Sequence, residues 1–169
     1  MAAPAPRSTA DLCDEFGDRL ESCSLPLRQY GGERAFGGPI VTFRSPEDNL
    51  ILKQIITEPG EGRVIVVDVH GSTRVAMIGD SMAETAAANG WSGFVINGAV
   101  RDVGRLAELP IGVKALGSNP RRSVKSGNGE RDVTVSFGGA VFRPGAVLAS
   151  DDDGIVVLPA ADVSAIPNS

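Results

Sequence analysis

Histidine is almost missing from this chain, and cysteine and the large aromatics are scarce: one histidine, two cysteines, one tryptophan and one tyrosine in 169 residues. With one histidine, and with Cys13 and Cys23 at a spacing that fits no zinc pattern, a nitrogen–sulfur metal centre is hard to assemble. Two cysteines make no disulfide framework either, and a chain of this length buries a proper core without one. Both are read as small packing residues suited to a reducing compartment. Positive charge is also short. Sixteen Lys and Arg against 21 Asp and Glu leave a net charge of -5 and a pI near 4.9, which argues against the basic stripe of a nucleic-acid surface. Arg121-Arg122 with Lys125 is the one basic cluster, and it is too small to overturn that. No apolar run approaches a membrane span, so no membrane partner is expected. Met1 to Arg7 holds Pro4 and Pro6 but no apolar core of signal-peptide length, and the expected address is cytoplasmic. Length predicts one domain over residues 1–169, with 1–8 and 160–169 as peripheral tails.

What is present is organised around Gly79 to Asp102. Ala83 to Asn89 favours helix, Gly90 stops it, and the helix start falls near Ser81 after the turn Gly79-Asp80-Ser81-Met82. Phe94-Val95-Ile96 reads as a buried strand that Asn97-Gly98 closes as a turn, with Arg101-Asp102 directly after. In an open α/β layer, strand ends and helix starts share one rim, where ligands bind. Such a rim gathers the free N–H groups of a helix start, a guanidinium and a carboxylate. The N–H groups suit a substrate carboxylate, and Arg101 suits a second oxygen in bidentate geometry. Asp102 is a hard oxygen ligand for Mg²⁺ or Mn²⁺. The spacing alone is equally compatible with an ordinary surface ion pair, worth little.

The remaining segments predict a mixed α/β or α+β sandwich. A short helix capped by Ser8 or Thr9 covers Asp11 to Phe16 and ends at Gly17. Strands follow at Leu27 to Tyr30 and Pro39 to Arg44. A helix over Asn49 to Thr57, opened by Ser45 or Pro46, carries Leu50, Ile51, Ile55 and Ile56 as its apolar stripe. Val64 to Val67, continuously β-branched, predicts a central strand covered on both faces. His70 after it reads more readily as a polar loop residue than as a catalyst. Val75 to Ile78 predicts a short strand, Val103 to Leu109 a short helix, and Gly112 to Leu116 a strand. Asn119 to Asp132 is a polar loop whose Gly127-Asn128-Gly129 opens no helix and reads as a flexible hairpin or subunit contact. From Val133 to Leu158 the signals are purely β. Lys114, in its apolar strand, is the sole plausible Schiff-base lysine.

Asp80, twenty intervening residues, then Arg101-Asp102 resembles the signature of the class II pyruvate aldolases of the RraA-like family, typified by 4-hydroxy-4-methyl-2-oxoglutarate aldolase. Asp11-Leu12-Cys13-Asp14, Phe36-Gly37-Gly38-Pro39-Ile40, Glu47-Asp48-Asn49, Arg63 to Asp68, Asn97 to Asp102 and Phe137-Gly138-Gly139 sit where that family has similar strings, so the resemblance spans about residues 9 to 158. It implies a swivelling β/β/α domain, ring-shaped homotrimers sometimes doubled to hexamers, and sites between subunits. It also implies metal-dependent cleavage of 4-hydroxy-4-methyl-2-oxoglutarate into two pyruvates through a pyruvate enolate, with oxaloacetate decarboxylation as a second activity. By that resemblance Asp102 anchors the metal, Arg101 binds the keto and enolate oxygen, and the backbone of Gly79, Asp80, Ser81 and Met82 holds the carboxylate. An adjacent subunit supplies a carboxylate for proton transfer; Asp151 to Asp153 are candidates only by being acidic. Members of the family also bind and inhibit the endoribonuclease RNase E as purely regulatory proteins. Others carry a menaquinone-pathway methyltransferase label, yet no G-x-G-x-x-G loop follows a strand here.

Overall fold

The structure, a computed structural model, describes residues 7–159. The two expected tails lie outside the described residues apart from Arg7 and Ser8. Ser8 Oγ accepts the Asp11 N–H at 3.0 Å and caps helix α1 (Thr9–Phe16). Strands β1 (Glu21–Cys23) and β2 (Arg28–Gln29) follow, then the long β3 (Phe36–Arg44). Next come α2 (Leu50–Ile55), β4 (Val64–Asp68), β5 (Ala76–Ile78), α3 (Asp80–Ala88), β6 (Gly93–Val100), α4 (Val103–Leu106) and β7 (Gly112–Ser118). The last part is all strand: β8 (Glu130–Arg131), β9 (Val135–Phe137), β10 (Ala140–Phe142), β11 (Val147–Asp151) and β12 (Gly154–Leu158).

Strand β3 joins two sheets. Its first half, Phe36 to Pro39, pairs antiparallel with β11, and its second half, Ile40 to Arg44, pairs parallel with β4. From β4 the parallel order runs on through β6 to β7, while β11 leads through β12 to β1 at the other edge. Period-two alternation then sorts the side chains into layers. Ile65, Val67, Phe94 and Ile96 point to the helices α2, α3 and α4, and Val64, Val66 and Val95 point to the core shared with β9 to β12. Val64 to Val67 are all fully buried, so each contributes about 1.5–3 kcal/mol of hydrophobic stabilisation. Val147, Ala149, Val156 and Leu158 face away from that inner core and are covered by Leu12 and Phe16 of α1. The β/β/α layering implied by the resemblance is present, and the strand expected to be central is central.

Four local expectations are corrected. Asn97-Gly98 does not close its strand: β6 runs through it to Val100, with a register irregularity between Ile96 and Ala99. Helix α2 is shorter than Asn49 to Thr57, and neither Ser45 nor Pro46 opens it. Ser45 Oγ instead accepts the Asp48 N–H at 3.2 Å and donates to Asp48 O at 2.7 Å, spending residues 45–48 on a turn. Its buried stripe is Leu52, Ile55 and Ile56, with Leu50 and Ile51 only half-buried. The segment around Gly127 is not a free hairpin, as its contacts with Asp48 show below. Both cysteines are half-buried free thiols, and burial raises the Cys23 thiol above its ordinary value against the opposing pull of the Leu25 N–H and Lys114.

Candidate active site

The twenty-residue spacing between Asp80 and Arg101 is one turn of β-α-β. Strand β5 lies parallel to the last residues of β6, with Ala76 opposite Ala99 and Ile78 opposite Val100. Parallel neighbours need a crossover, and α3 supplies it. The start of α3 and the residues after β6 therefore arrive at one rim together, and Arg101 N–H donates to Ile78 O at 3.0 Å. Ala83 and Ala86 are fully buried, which seats the helix close against the sheet.

Asp102 takes the left-handed conformation, φ 57° and ψ 42°, at the residue preceding α4. A non-glycine residue there stores about 1 kcal/mol or more of strain. The bend turns the carboxylate back across the rim, where Oδ2 accepts the Asp80 N–H at 3.1 Å. Asp102 thus caps α3 from outside the helix, since Gly79 at the N-cap has no side chain to do so. Gly79 is needed for contact: a Cβ there would lie 2.5 Å from Asp102 Oδ2 and 3.3 Å from Arg101 Cγ. Ser81 N–H is turned to Asp80 Oδ1 at 2.8 Å, so of the expected backbone donors those of Asp80 and Ser81 are already engaged. Arg101 is half-buried, and its Nη1 makes a long bond of 3.4 Å to Pro120 O.

These residues open onto a cleft of about 240 Å³ lined by Gly79, Asp80, Ser81, Met82, Arg101 and Asp102. All the expected site residues are together. Four further polar groups line the same cleft: Asn49 and Lys53 from the start and body of α2, and Arg122 and Lys125 from the loop after β7. A second cavity of about 280 Å³ shares Arg101 and Asp102 and adds Val103, Ser118, Asn119 and Pro120. The cationic crowding is felt by Lys125, whose pKa is lowered by burial first, then by Lys53, Arg122 and Arg101, with Asp48 opposing. Asn49 is 4 % exposed; its Nδ2 donates to Met77 O at 2.9 Å, while its buried Oδ1 has no hydrogen-bond partner among the described residues. Such an unpaired acceptor costs about 1–3 kcal/mol.

The other candidates lie elsewhere. His70 is exposed, with its N–H on Asp68 Oδ1 at 2.9 Å, and is not among the cleft residues. Lys114 is 3 % exposed and donates to the carbonyls of Asp151 and, at 3.2 Å, Gly154; burial chiefly lowers its pKa. Asp151 accepts from Thr9 N–H at 2.8 Å and Thr9 Oγ at 2.7 Å, a structural duty in the β11–β12 turn. Among the described residues no group of three or more His, Cys, Asp or Glu gathers as a metal cage. The carboxylates at the cleft are Asp80 and Asp102. An all-oxygen set of this size fits Mg²⁺ or Mn²⁺, which keep waters and take one or two carboxylates beside substrate oxygens.

Residues 9–157 match the RraA-like family, described as Aldolase/RraA. The chain belongs to the RraA-like family. It is 45% identical to a Geobacillus kaustophilus HTA426 protein named S-adenosylmethionine: 2-dimethylmenaquinone methyltransferase, over 90% of this chain and 95% of that one, with a TM-score of 0.89. It is 39% identical to the RNA-processing inhibitor RraA from Thermus thermophilis, over 90% and 93% of the two chains, TM-score 0.88. Streptomyces coelicolor RraAS2, an unusual member of the RNase ES inhibitor RraA protein family, shares the fold at 24% identity and a TM-score of 0.76, over 94% and 84%. No helix among the described residues of this RraA-like chain is long and apolar enough to cross a membrane.

Proposed function

We propose that this RraA-like protein is a divalent-metal-dependent carbon–carbon lyase acting on 2-keto acids. It cleaves 4-hydroxy-4-methyl-2-oxoglutarate to two pyruvates and decarboxylates oxaloacetate as a second activity. The observation that carries the reading is the junction of Asp102 Oδ2 with the N-terminus of α3, beside Arg101, on a cleft rimmed by further cations. In the retro-aldol direction the C4 hydroxyl loses its proton, the C3–C4 bond breaks, and its electron pair becomes the enolate of pyruvate. Protonation at C3 then releases the second pyruvate. Loss of CO₂ from oxaloacetate leaves the same enolate.

Arg101 binds the keto oxygen and gains strength as charge develops on it, the kind of preorganised donor that stabilises an oxyanion. The positive end of the α3 dipole, with the backbone N–H groups that Asp80 and Asp102 leave unengaged, holds the C1 carboxylate. Asp102, with Asp80 at hand, would hold Mg²⁺ or Mn²⁺, and a bound ion supplies Lewis-acid polarisation of the keto group. Lys125, Arg122 and Lys53 bind the distal carboxylate. The proton donor and acceptor come from the neighbouring subunit of a homotrimer, or of a hexamer built from two. Pyruvate release, followed with lactate dehydrogenase in the presence of Mg²⁺, of EDTA, and of Mg²⁺ with Asp102→Asn, tests the assignment. Activity is expected only in the first case, and undiminished release by Asp102→Asn refutes it.

A second reading has its own support: the Thermus relative at 39% identity is named an RNA-processing inhibitor. On that reading the chain binds RNase E without turnover, and Asp102 is dispensable. The methyltransferase name of the Geobacillus relative finds no glycine-rich nucleotide loop here to support it.

A further inference from the structure

Asp48 is a buried carboxylate, 1 % exposed, that the proposed chemistry does not use. Its Oδ1 accepts the Leu50 N–H at 3.1 Å, at the start of α2. Its Oδ2 accepts three successive N–H groups, from Ser126 at 3.0 Å, Gly127 at 2.9 Å and Asn128 at 3.0 Å. Consecutive N–H groups converge in this way only where the backbone curls into an anion-binding nest, and the φ of +96° at Gly127 gives that curl. On the other side of Lys125, Val124 N–H donates to Glu47 O at 3.2 Å and Val124 O accepts the Asn49 N–H at 3.1 Å. Lys125 is thus held between two anchored neighbours, and it lines the cleft together with Asn49.

We propose that Asp48 is a positioning residue, whose carboxylate clamps the 124–128 segment to the start of α2 and so fixes Lys125 against Asn49 for binding the distal end of the substrate. The role rests on the reading of the cleft as the substrate site. Burial favours the neutral acid, but the N–H groups of Leu50, Asn128, Ser126 and Gly127 outweigh it and hold the Asp48 carboxyl below its ordinary value. The clamp is therefore charged throughout the neutral range. A local clamp and a global stabiliser are separable, because the first acts through one side chain only.

Two measurements on the full chain test this. Amide exchange without ligand reads the clamp itself: Asp48→Asn should speed exchange at residues 126–128 by about tenfold or more, with global stability lowered much less than local stability. Unchanged exchange there overturns the clamp. Kinetics with oxaloacetate and Mg²⁺ read the positioning: Asp48→Asn should raise KM about tenfold with kcat within about twofold, the pattern of lost uniform binding. In a Lys125→Met background the same change should alter KM less than about twofold, since the two then act through one contact. An equal effect in both backgrounds, or a loss confined to kcat, makes Asp48 merely structural and overturns the proposal. Should Asp48→Asn fail to fold, Gly127→Ala strains the same curl while its new Cβ meets only Leu50 Cδ2 at 3.5 Å, and the same outcomes apply. A wild-type protein that decarboxylates nothing overturns the positioning role together with the cleft reading. Fast exchange in Asp48→Asn would then still establish the clamp, so the two failures are told apart.

Discussion

Gly79→Ala separates the fold from the chemistry at one atom. The backbone at Gly79, φ -132° and ψ -163°, is open to any residue, so alanine meets no conformational penalty. The obstacle is the Asp102 carboxylate, whose Oδ2 would lie 2.5 Å from the new methyl group. An ordinary carbon–oxygen contact is longer by most of an ångström, so the carboxylate must swing outward and give up its 3.1 Å bond to Asp80 N–H. Asp102 is exposed, and water can replace the lost partner; the stability cost should be about 1 kcal/mol, a drop of roughly 2–4 °C in Tm for a chain of this size. Activity should suffer far more, because displacing a reacting group by about 1 Å costs on the order of a hundredfold. Calorimetry and the coupled pyruvate assay on the same preparation read both quantities. Wild-type kcat/KM in a Gly79→Ala protein of normal Tm would refute the claim that the seat of Asp102 on α3 matters.

Arg101→Lys keeps the charge but loses the planar fork, and kcat/KM should fall about tenfold or more; equal kinetics would show Arg101 to be only a neighbour of the site. Lys125 binds anions in its charged form, which is present below its pKa and lost above it. That pKa is lowered from 10.5, by burial first and then by its cationic neighbours. KM for oxaloacetate should therefore rise with pH before an ordinary lysine titrates, and Lys125→Arg should flatten the rise. A KM independent of pH in the wild type up to 10.5 would remove Lys125 from the site. Light scattering should give a trimer, or a hexamer of two, and mixed inactive variants altered on opposite sides of one shared site should partly restore activity. A fully active monomer would exclude sites shared between subunits.

The β-α-β frame of the site was legible because its signals are local: the alanine-rich helix, the apolar run at Phe94 to Ile96, and the fixed return from Asp80 to Arg101. Asn97-Gly98 misled because the dipeptide favours turns in isolation, whereas here β4 and β7 flank the strand on both sides. Asn97 Nδ2 is held by Asp68 Oδ1 at 3.0 Å, and the strand continues. The second wall of the cleft was illegible for a different reason. Asn49 and Lys53 lie more than sixty residues before Arg122 and Lys125, and no periodicity links them. Tertiary bonds through Asp48 and Val124 bring them together. The available clue was the Glu47-Asp48-Asn49 string placed just after a strand, where a buried acid needs several backbone donors.

The claim that the site exists to stabilise a pyruvate enolate is tested most directly by proton exchange at the methyl group of pyruvate in D₂O, followed by ¹H NMR. With Mg²⁺ or Mn²⁺ the wild-type protein should replace the methyl protons by deuterium without consuming pyruvate; Arg101→Lys should slow that exchange about tenfold or more, and Asp102→Asn by orders of magnitude, as the loss of a metal anchor requires. Pyruvate that binds in the cleft with either metal but keeps its methyl protons at the solvent rate would contradict the account.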